Sequence, residues 1–385
     1  MNAPLSPSDT LRTALAHLLD GLPPKAAAQA VERLIVNYRG RTPTDAPVLR
    51  DRSDVVAYAA YRMPATFEAV CAALEAFARA VPDWEPGSHV DVGGGTGAAT
   101  WAVNATWTGG RPVTVLDWAE PALALGREIA AAHPDLKPTE WQRSRIGSAL
   151  TIESTDLVTI SYVLGELTDA DRTAVVDAAA TAAQAVVVVE PGTPDGYARV
   201  IDARDRLIAA GFHIAAPCPH SAACPIVPGE DWCHFAARVS RSSLHRQVKG
   251  GSLAYEDEKF SYVAATRFAP APAASRVVRK PQIRKGQVLL DLCGTGTPAA
   301  KDAATTAPTP TDVATAAPTP TDVATAAPAV TSGADADGGN GPGTGPVPTL
   351  GRTIVTKRHG PLYKAARDAD WGDAWPPPTG DDDRA

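Results

Sequence analysis

The sequence predicts an α/β protein in which a Rossmann-like domain follows N-terminal helices and precedes a β-rich module with a cysteine cluster. Three observations lead to this prediction. Short apolar runs alternate with helical patterns in the middle of the chain, a glycine-rich turn follows the first run, and the alternation stops where a cysteine-rich segment begins. Apolar strands that alternate with helices indicate a parallel sheet covered on both faces. A chain of 385 residues can build more than one such core.

Residues 1–84 form the predicted N-terminal helical region. Their apolar positions recur at spacings of three and four residues, as on one face of a helix. Pro64 disfavours the helical conformation of the residue before it and so separates two of these helices. Cys71 lies on the apolar face of the second and is expected in the core.

Residues 85–215 form the predicted Rossmann-like domain. The first strand leads into a glycine turn, the second ends at Asp117, and the third runs into the segment SYVLGEL. The fourth contains the apolar run Val186–Val189. Runs this apolar are typical of strands that are buried on both faces.

The remainder of the chain contains a predicted β-rich module, residues 216–297, which resumes at residues 351–385 and ends in an acidic tail. Between them, residues 298–350 repeat the unit APTPTDVATA with a period of ten and contain no aromatic residue. Such a segment cannot bury enough apolar surface to fold, so we predict a disordered insertion. The segments QVLLDLC and RTIVTKR, on either side of it, are predicted to pair as one hairpin.

The distribution of charge is more informative than its total. The formal net charge of −7 does not indicate a nucleic-acid-binding protein. However, eleven Lys or Arg residues lie between Arg238 and Lys285, and a second basic run extends from Arg352 to Arg367. This distribution favours a phosphate-rich partner, and the alternative is a solvated basic face.

The sequence also predicts a compartment. No eighteen apolar residues run together, and the first residues lack the basic, apolar and small-residue parts of a signal peptide. We therefore expect a cytoplasmic protein with no membrane partner, whose thiols stay reduced.

A glycine-rich turn, DVGGGTG at residues 91–97, lies between a predicted strand and a predicted helix. Glycines allow a close approach to a ligand, and the helix N-terminus favours a negative group. This spacing also fits a dinucleotide, and a tight turn without a ligand is the plain alternative. Two acids favour S-adenosylmethionine (SAM), since one can take its amino group and the other its ribose hydroxyls. The predicted binding residues are Asp91, Gly93, Gly95, Gly97, Asp117 and Trp118.

Four of the five cysteines lie in the second half of the chain: Cys218, Cys224 and Cys233 in one Pro-rich segment, and Cys293 downstream. Turns with Pro and Gly can fold several thiolates back onto one point. Four convergent thiolates are the ligands of zinc or of an iron–sulfur cluster.

The cysteine pattern leaves alternatives open. Buried apolar thiols and disulfides are the plain ones. In a zinc-ribbon-like site, His220 or His234 would replace one cysteine. Spacing alone does not choose between zinc and iron–sulfur centres, because thiolates favour both.

Taken together, the motifs resemble the Rsm22 family of small-ribosomal-subunit methyltransferase-like proteins, which includes the mitochondrial methyltransferase-like-17 type. The resemblance extends from about Tyr58 to Trp375 and omits the repeats. It is carried by AYRMPATFEAV, VDVGGGTGAATWA, DLVTISYVLGEL, VVVVEPGTP, CPHSAACP, DWCHF, EKFSYVAATR, LLDLC and RTIVTKRHGPLYKAARDADWGDAW.

This resemblance implies a class I SAM-methyltransferase fold and a role with the small ribosomal subunit and its rRNA during assembly. It also implies a four-iron, four-sulfur (4Fe-4S) cluster on Cys218, Cys224, Cys233 and Cys293, with zinc as the alternative, within an RNA-binding β-rich module. The protein is expected to be a monomer when it is off the ribosome.

No catalytic motif is recognisable. The segment after the third strand, SYVLGE, contains neither the Pro-Pro-aromatic motif of amine methylation nor a cysteine nucleophile. One hypothesis is a SAM-dependent RNA methyltransferase in which Tyr162 and Glu166 line the pocket. The alternatives are a non-catalytic assembly factor that binds SAM and rRNA, and a zinc-binding RNA-binding protein.

Overall fold

The computed structural model describes residues 6–19, 31, 52–227, 229–241, 253–295 and 347–377. Most of the predicted insertion, residues 298–346, and the acidic stretch at residues 381–383 lie outside the described residues. No helix in the described part of the chain is long and apolar enough to cross a membrane.

Helices α1 (Pro7–Leu19), α2 (Arg52–Tyr61) and α3 (Met63–Ala80) precede the first sheet, as predicted for the N-terminal region. Pro64 lies in the first turn of α3, where a missing backbone N–H leaves no hydrogen bond unmade.

The first sheet contains eight described strands. They are β1 (His89–Val92), β2 (Val113–Asp117), β3 (Glu140–Arg143), β4 (Thr155–Ser161), β5 (Ala183–Pro191), β6 (His213–Ala216), β7 (Phe235–Ser240) and β8 (Tyr255–Thr266). Their order is β3-β2-β1-β4-β5-β8-β6, and β7 also pairs with β8. Strands β1 to β5 are parallel, whereas β8 is antiparallel to β5, β6 and β7.

Helices cover both faces of this sheet, as the apolar strands predict. They are α4 (Ala98–Thr106), α5 (Glu120–Ala130), α6 (Asp169–Ala182) and α7 (Pro194–Ala209). Along β5, Val187 packs in the core that contains α3 and α4, and Val186 packs in the core that contains α6 and α7. The alternating side chains of one strand therefore serve two cores, which explains its continuous apolar sequence.

The second sheet is smaller. It consists of β9 (Ser275–Val277), β10 (Gln282–Arg284), β11 (Gln287–Thr295), β12 (Pro348–Thr356) and β13 (Ala374–Trp375), with α8 (Pro361–Asp368) packed on it. Strands β11 and β12 are antiparallel neighbours from Gln287↔Thr356 to Thr295↔Pro348. The predicted hairpin across the repeat insertion is therefore confirmed, as is the predicted α/β fold with its largely parallel sheet.

The two sheets do not divide at residue 215. Strands β7 and β8 come from the range predicted as the β-rich module, yet they join the first sheet. The second half of β8 is buried throughout and pairs with β5 from Phe260 to Thr266. Strand pairing joins residues far apart in sequence, so local strand content does not reveal which sheet a strand enters.

Candidate functional site

The glycine turn leads from the carboxyl end of β1 into α4. Gly93, Gly95 and Gly97 all have positive φ angles, of 67°, 55° and 85°. A Cβ at Gly93 would approach Val163 Cγ2 to 2.5 Å, whereas at Gly95 the nearest atom would be 3.9 Å away. Gly93 is therefore required for space as well as for conformation, and Gly95 for conformation alone.

Asp91 lies fully buried beneath this turn. Its Oδ2 accepts hydrogen bonds from the backbone N–H and the hydroxyl of Thr100, at 3.2 and 3.0 Å, and its Oδ1 accepts one from the Thr159 hydroxyl at 3.0 Å. Burial raises the pKa of Asp91 to about 6, although these hydrogen bonds oppose the shift. In this conformation Asp91 positions the start of α4.

Asp117 holds the turn from the neighbouring strand. Its Oδ2 accepts the Gly95 N–H at 2.8 Å and its Oδ1 accepts the Ala119 N–H at 2.7 Å. Trp118, next in sequence, is half-buried, and the Arg143 guanidinium lies 5.4 Å from its ring centroid. The predicted SAM-binding residues thus gather at the carboxyl ends of β1 and β2, where ligands of open α/β sheets bind.

Tyr162, at the end of β4, has a φ of 57°. A left-handed backbone is unfavourable for a bulky aromatic residue, so surrounding contacts must hold it. Its hydroxyl donates to Glu258 Oε1 at 3.2 Å. Arg62 pairs with both oxygens of Glu258 at 2.9 and 3.2 Å, and its guanidinium lies 5.6 Å from the Tyr162 ring.

Met63 adds a second contact from the helices before the sheet. Its Sδ accepts the hydroxyl of Thr96, in the glycine turn, at 3.3 Å. Together with Arg62, it places the start of α3 against the candidate site. The sequence does not reveal the role of Glu258, because this residue and Arg62 are 196 positions apart.

Glu166 lies in the short helical turn after Tyr162 and is exposed to solvent. Its carboxyl group is nonetheless partly desolvated by nearby protein atoms. This desolvation, together with repulsion from Asp117 and Glu190, raises the pKa of Glu166. Glu190 itself is buried, pairs with Arg199 at 2.6 Å and accepts the Leu164 N–H at 3.1 Å. It thereby secures the segment that follows β4.

All four predicted cysteine ligands line one pocket, between the two sheets. Cys218 follows β6, Cys224 and Cys233 precede β7, and Cys293 lies in β11 of the second sheet. Burial raises the pKa of the Cys218 and Cys233 thiols, and that of Cys293 to about 12. Within the described ranges, no three His, Cys, Asp or Glu side chains are grouped closely enough to hold one metal ion.

Of the two histidines predicted as alternative ligands, one lies beside a cysteine. His220 Nε2 is 3.6 Å from Cys293 Sγ, and its Nδ1 is 3.2 Å from the Ala222 carbonyl oxygen. His234 stacks on Trp232 instead, with ring centroids 5.3 Å apart, and burial lowers its pKa to about 4.

The pocket also contains polar groups that the sequence does not identify. The Tyr197 hydroxyl lies 3.3 Å from Cys224 Sγ. Arg204 and Arg276 also line the pocket, and both are buried. The Nε of Arg204 is buried without a hydrogen-bond partner.

The chain matches a family model and a human protein. A family model described as "Mitochondrial small ribosomal subunit Rsm22" matches residues 52–310 and 346–376, more than half of the chain. The human protein described as ribosome assembly protein METTL17, mitochondrial, is 29% identical over 236 residues, covering 56% of this chain and 49% of that protein. The chain thus spans about half the length of this curated relative.

Solved structures that match parts of the chain include two methyltransferases. A putative RNA methyltransferase from Pyrococcus horikoshii is 14% identical with a TM-score of 0.36, covering 62% of this chain and 96% of that chain. Magnesium protoporphyrin IX methyltransferase from Synechocystis, with bound S-adenosylhomocysteine, is 13% identical with a TM-score of 0.34, covering 61% and 93%.

Proposed function

The chain belongs to the Rsm22 family, and from this premise we propose that it binds SAM and acts on the small ribosomal subunit, in rRNA methylation or in subunit assembly. The observation that carries the proposal is the family match across both sheets and the cysteine segment. The gathering of the glycine turn and Asp117 at the carboxyl ends of β1 and β2 supports SAM as the ligand.

Calorimetry tests the SAM site. We expect SAM to bind the wild-type protein and to bind Gly95→Val and Asp117→Ala at least tenfold more weakly. Gly95→Val projects a side chain from the turn, and Asp117→Ala removes the acceptor of the Gly95 N–H. Equal affinities in all three proteins would place SAM elsewhere.

Methyl transfer is a separate part of the proposal. The methyl-acceptor side would be lined by Tyr162, Glu258 and Glu166, which can position a nucleophile but include no recognisable catalytic motif. An assay with the purified protein, tritiated SAM and small-subunit particles distinguishes the alternatives. The particles come from a strain without this protein. Label in rRNA supports an RNA methyltransferase, whereas SAM binding without label supports a non-catalytic assembly factor.

We propose further that Cys218, Cys224, Cys233 and Cys293 hold a 4Fe-4S cluster, with zinc as the alternative. The buried Arg204 guanidinium lies beside the Cys218 thiol and favours its thiolate form, as a metal ligand requires. The four thiols line one pocket and would be the ligands of either centre.

Such a cluster would be structural, joining segments that lack a core of their own. Iron, sulfide and zinc assays on anaerobically prepared protein test this part. We expect iron and sulfide, their loss on replacing any of the four cysteines by serine, and their retention in Cys71→Ser. Stoichiometric zinc in a colourless protein would support the zinc-binding alternative.

The proposed rRNA-binding surface includes only some of the residues in the two basic runs of the sequence, because others are paired with acids. Arg238, Arg279 and Arg352 pair with Asp257, Asp231 and Asp291. Four other basic residues are exposed where the β10–β11 turn meets the end of β12, and the Lys357 N–H donates to the Gly286 carbonyl oxygen at 3.3 Å. This basic end of the second sheet consists of Arg284, Lys285, Lys357 and Arg358.

Filter binding of small-subunit rRNA across a salt series tests this surface. Replacing Lys285, Lys357 and Arg358 by Gln should weaken binding and reduce the salt slope by roughly one unit for each phosphate that is no longer neutralised. Arg238→Gln is the matched control, because its guanidinium is paired with Asp257. Similar slopes for the triple variant and wild type would exclude this surface.

The compartment and the oligomeric state complete the proposal. The sequence predicts a cytoplasmic protein, whereas the family and the human relative are both described as mitochondrial. Fractionation of cells that express the tagged chain decides between the two. Light scattering of the purified protein tests the expected monomer.

A further inference from the structure

Two arginines are buried in the cysteine pocket, and no buried acid in the described part of the chain neutralises them. Arg204, on α7, is 1% exposed and Arg276, on β9, is 4% exposed. A buried charge is costly unless an opposite charge lies close by. Four neutral thiols would not supply such a charge.

The hydrogen bonds of the two guanidiniums go mainly to backbone carbonyls. Arg276 donates to the oxygens of Pro217 and Gly372 at 3.0 and 2.7 Å. Arg204 donates to the oxygens of His220 and Ala222 at 3.2 and 2.5 Å. Among the described residues, the only carboxylate paired with either is that of Asp205, whose side chain is 64% exposed.

We propose that Arg204 and Arg276 are positioning residues that act as counter-ions for a dianionic metal–thiolate centre in this pocket. This inference rests on the metal centre proposed above. Four thiolates carry four negative charges, and either a zinc ion or an oxidised 4Fe-4S core carries two positive ones. The remaining two negative charges match the two guanidiniums.

The charges are also divided between the two sheets. The second sheet contributes Arg276 and Cys293, which are paired neighbours in β9 and β11. Arg204 and the other three cysteines come from the first sheet and its connecting segments. A bound centre therefore neutralises a cation from each side, so that both sheets are held to it.

Metal retention tests the counter-ion role. Arg204→Met and Arg276→Met should each lose metal about 10 to 100 times more readily to a chelator, the range typical of residues that support metal ligands. Arg204→Lys and Arg276→Lys keep the charge and should retain most of the metal. If the Lys variants lose metal as readily as the Met variants, carbonyl hydrogen bonding rather than charge is the role of these residues, and the inference fails.

Thermal unfolding supplies a readout that does not depend on activity. In metal-loaded protein, Arg276→Met should lower the melting temperature, because the centre loses a counter-ion. In metal-stripped protein the same change should lower the melting temperature much less, because the loss of the hydrogen bonds to Pro217 and Gly372 is offset by removal of an unpaired buried charge. An equal decrease of the melting temperature in both states would overturn the inference.

Arg267→Met is a control for lost carbonyl hydrogen bonds at an exposed position outside the cysteine pocket. Arg267 also donates to backbone carbonyls, those of Ala183 and Ala180, but it lies over Phe212 and does not line the cysteine pocket. Its replacement should affect both metal states alike. Wild-type protein that binds neither iron nor zinc would contradict the proposed centre itself, whereas a metal-containing wild type with unaffected Arg→Met variants would contradict the counter-ion role alone.

Discussion

At the scale of single residues, Asp91 makes stability depend on pH. Its pKa is about 6 in the folded protein, above its ordinary value, so the folded state binds this proton more tightly than the unfolded state. The carboxyl therefore destabilises the fold only when it is ionised. We expect its contribution to be absent below about pH 4 and to reduce stability as the pH rises to about 6, by up to about 3 kcal/mol.

Urea denaturation at several pH values, with wild type and Asp91→Asn compared, measures this contribution. The difference in unfolding free energy between the two proteins should shift in favour of the variant between about pH 4 and pH 6. A difference that is constant across this range would show that the Asp91 pKa is not raised. Carboxyl NMR titration of Asp91 gives the same quantity directly.

Tyr162 is a second residue whose role can be measured. Burial raises its pKa well above the ordinary value, so its hydroxyl remains a donor to Glu258 at neutral pH. Tyr162→Phe should lower the unfolding free energy by about 1.5–3 kcal/mol, as for a hydrogen bond to a charged group. A double-mutant cycle with Glu258→Ala, which removes the acceptor, should give a coupling energy of similar size, and independent effects would mean that this hydrogen bond does not form.

At the scale of elements, the glycine turn requires glycine for two different reasons, backbone conformation at Gly95 and both conformation and space at Gly93. Gly95→Ala should cost about 1–2 kcal/mol of stability, because only the left-handed conformation opposes it. Gly93→Ala should cost about 1–3 kcal/mol more, because its Cβ would overlap Val163. Denaturation midpoints of the two variants make the comparison. Equal losses would show that Val163 moves aside freely.

At the scale of the whole molecule, the second sheet depends on its junction with the first. Its own core contains few fully buried apolar residues, among them Val277, Val288 and Leu290. A core of this size rarely stabilises a fold without a staple. Removal of the proposed metal should therefore increase amide hydrogen exchange in β9 to β12 by at least tenfold and leave β1, β4 and β5 protected.

Exchange measured by mass spectrometry on wild type, Cys293→Ser and Cys71→Ser tests this dependence. Only Cys293→Ser should resemble the metal-stripped wild type, since Cys71 lies on α3 and outside the pocket. Uniform exchange changes across both sheets would indicate that the metal stabilises the fold as a whole.

The sequence by itself determined the features that depend on local pattern. The alternation of apolar runs and helical patterns predicts a parallel sheet, because burial on both faces requires strands without polar positions. The glycine turn and the acid at the end of β2 also follow from short segments, since each depends on residues that are close in sequence. The hairpin of β11 and β12 follows from the strand content of two segments that adjoin once the repeat insertion is set aside.

Only the tertiary structure decided which distant groups meet. It placed β8 between β5 and β6, buried Asp91 under the turn, and brought Arg62 to Glu258 and Arg276 to the cysteines. Residue patterns report whether a position is buried, but not which opposite charge or strand edge lies against it. Those partners are selected by packing of the entire chain, because strand pairing and the neutralisation of buried charge are satisfied by residues far apart in sequence.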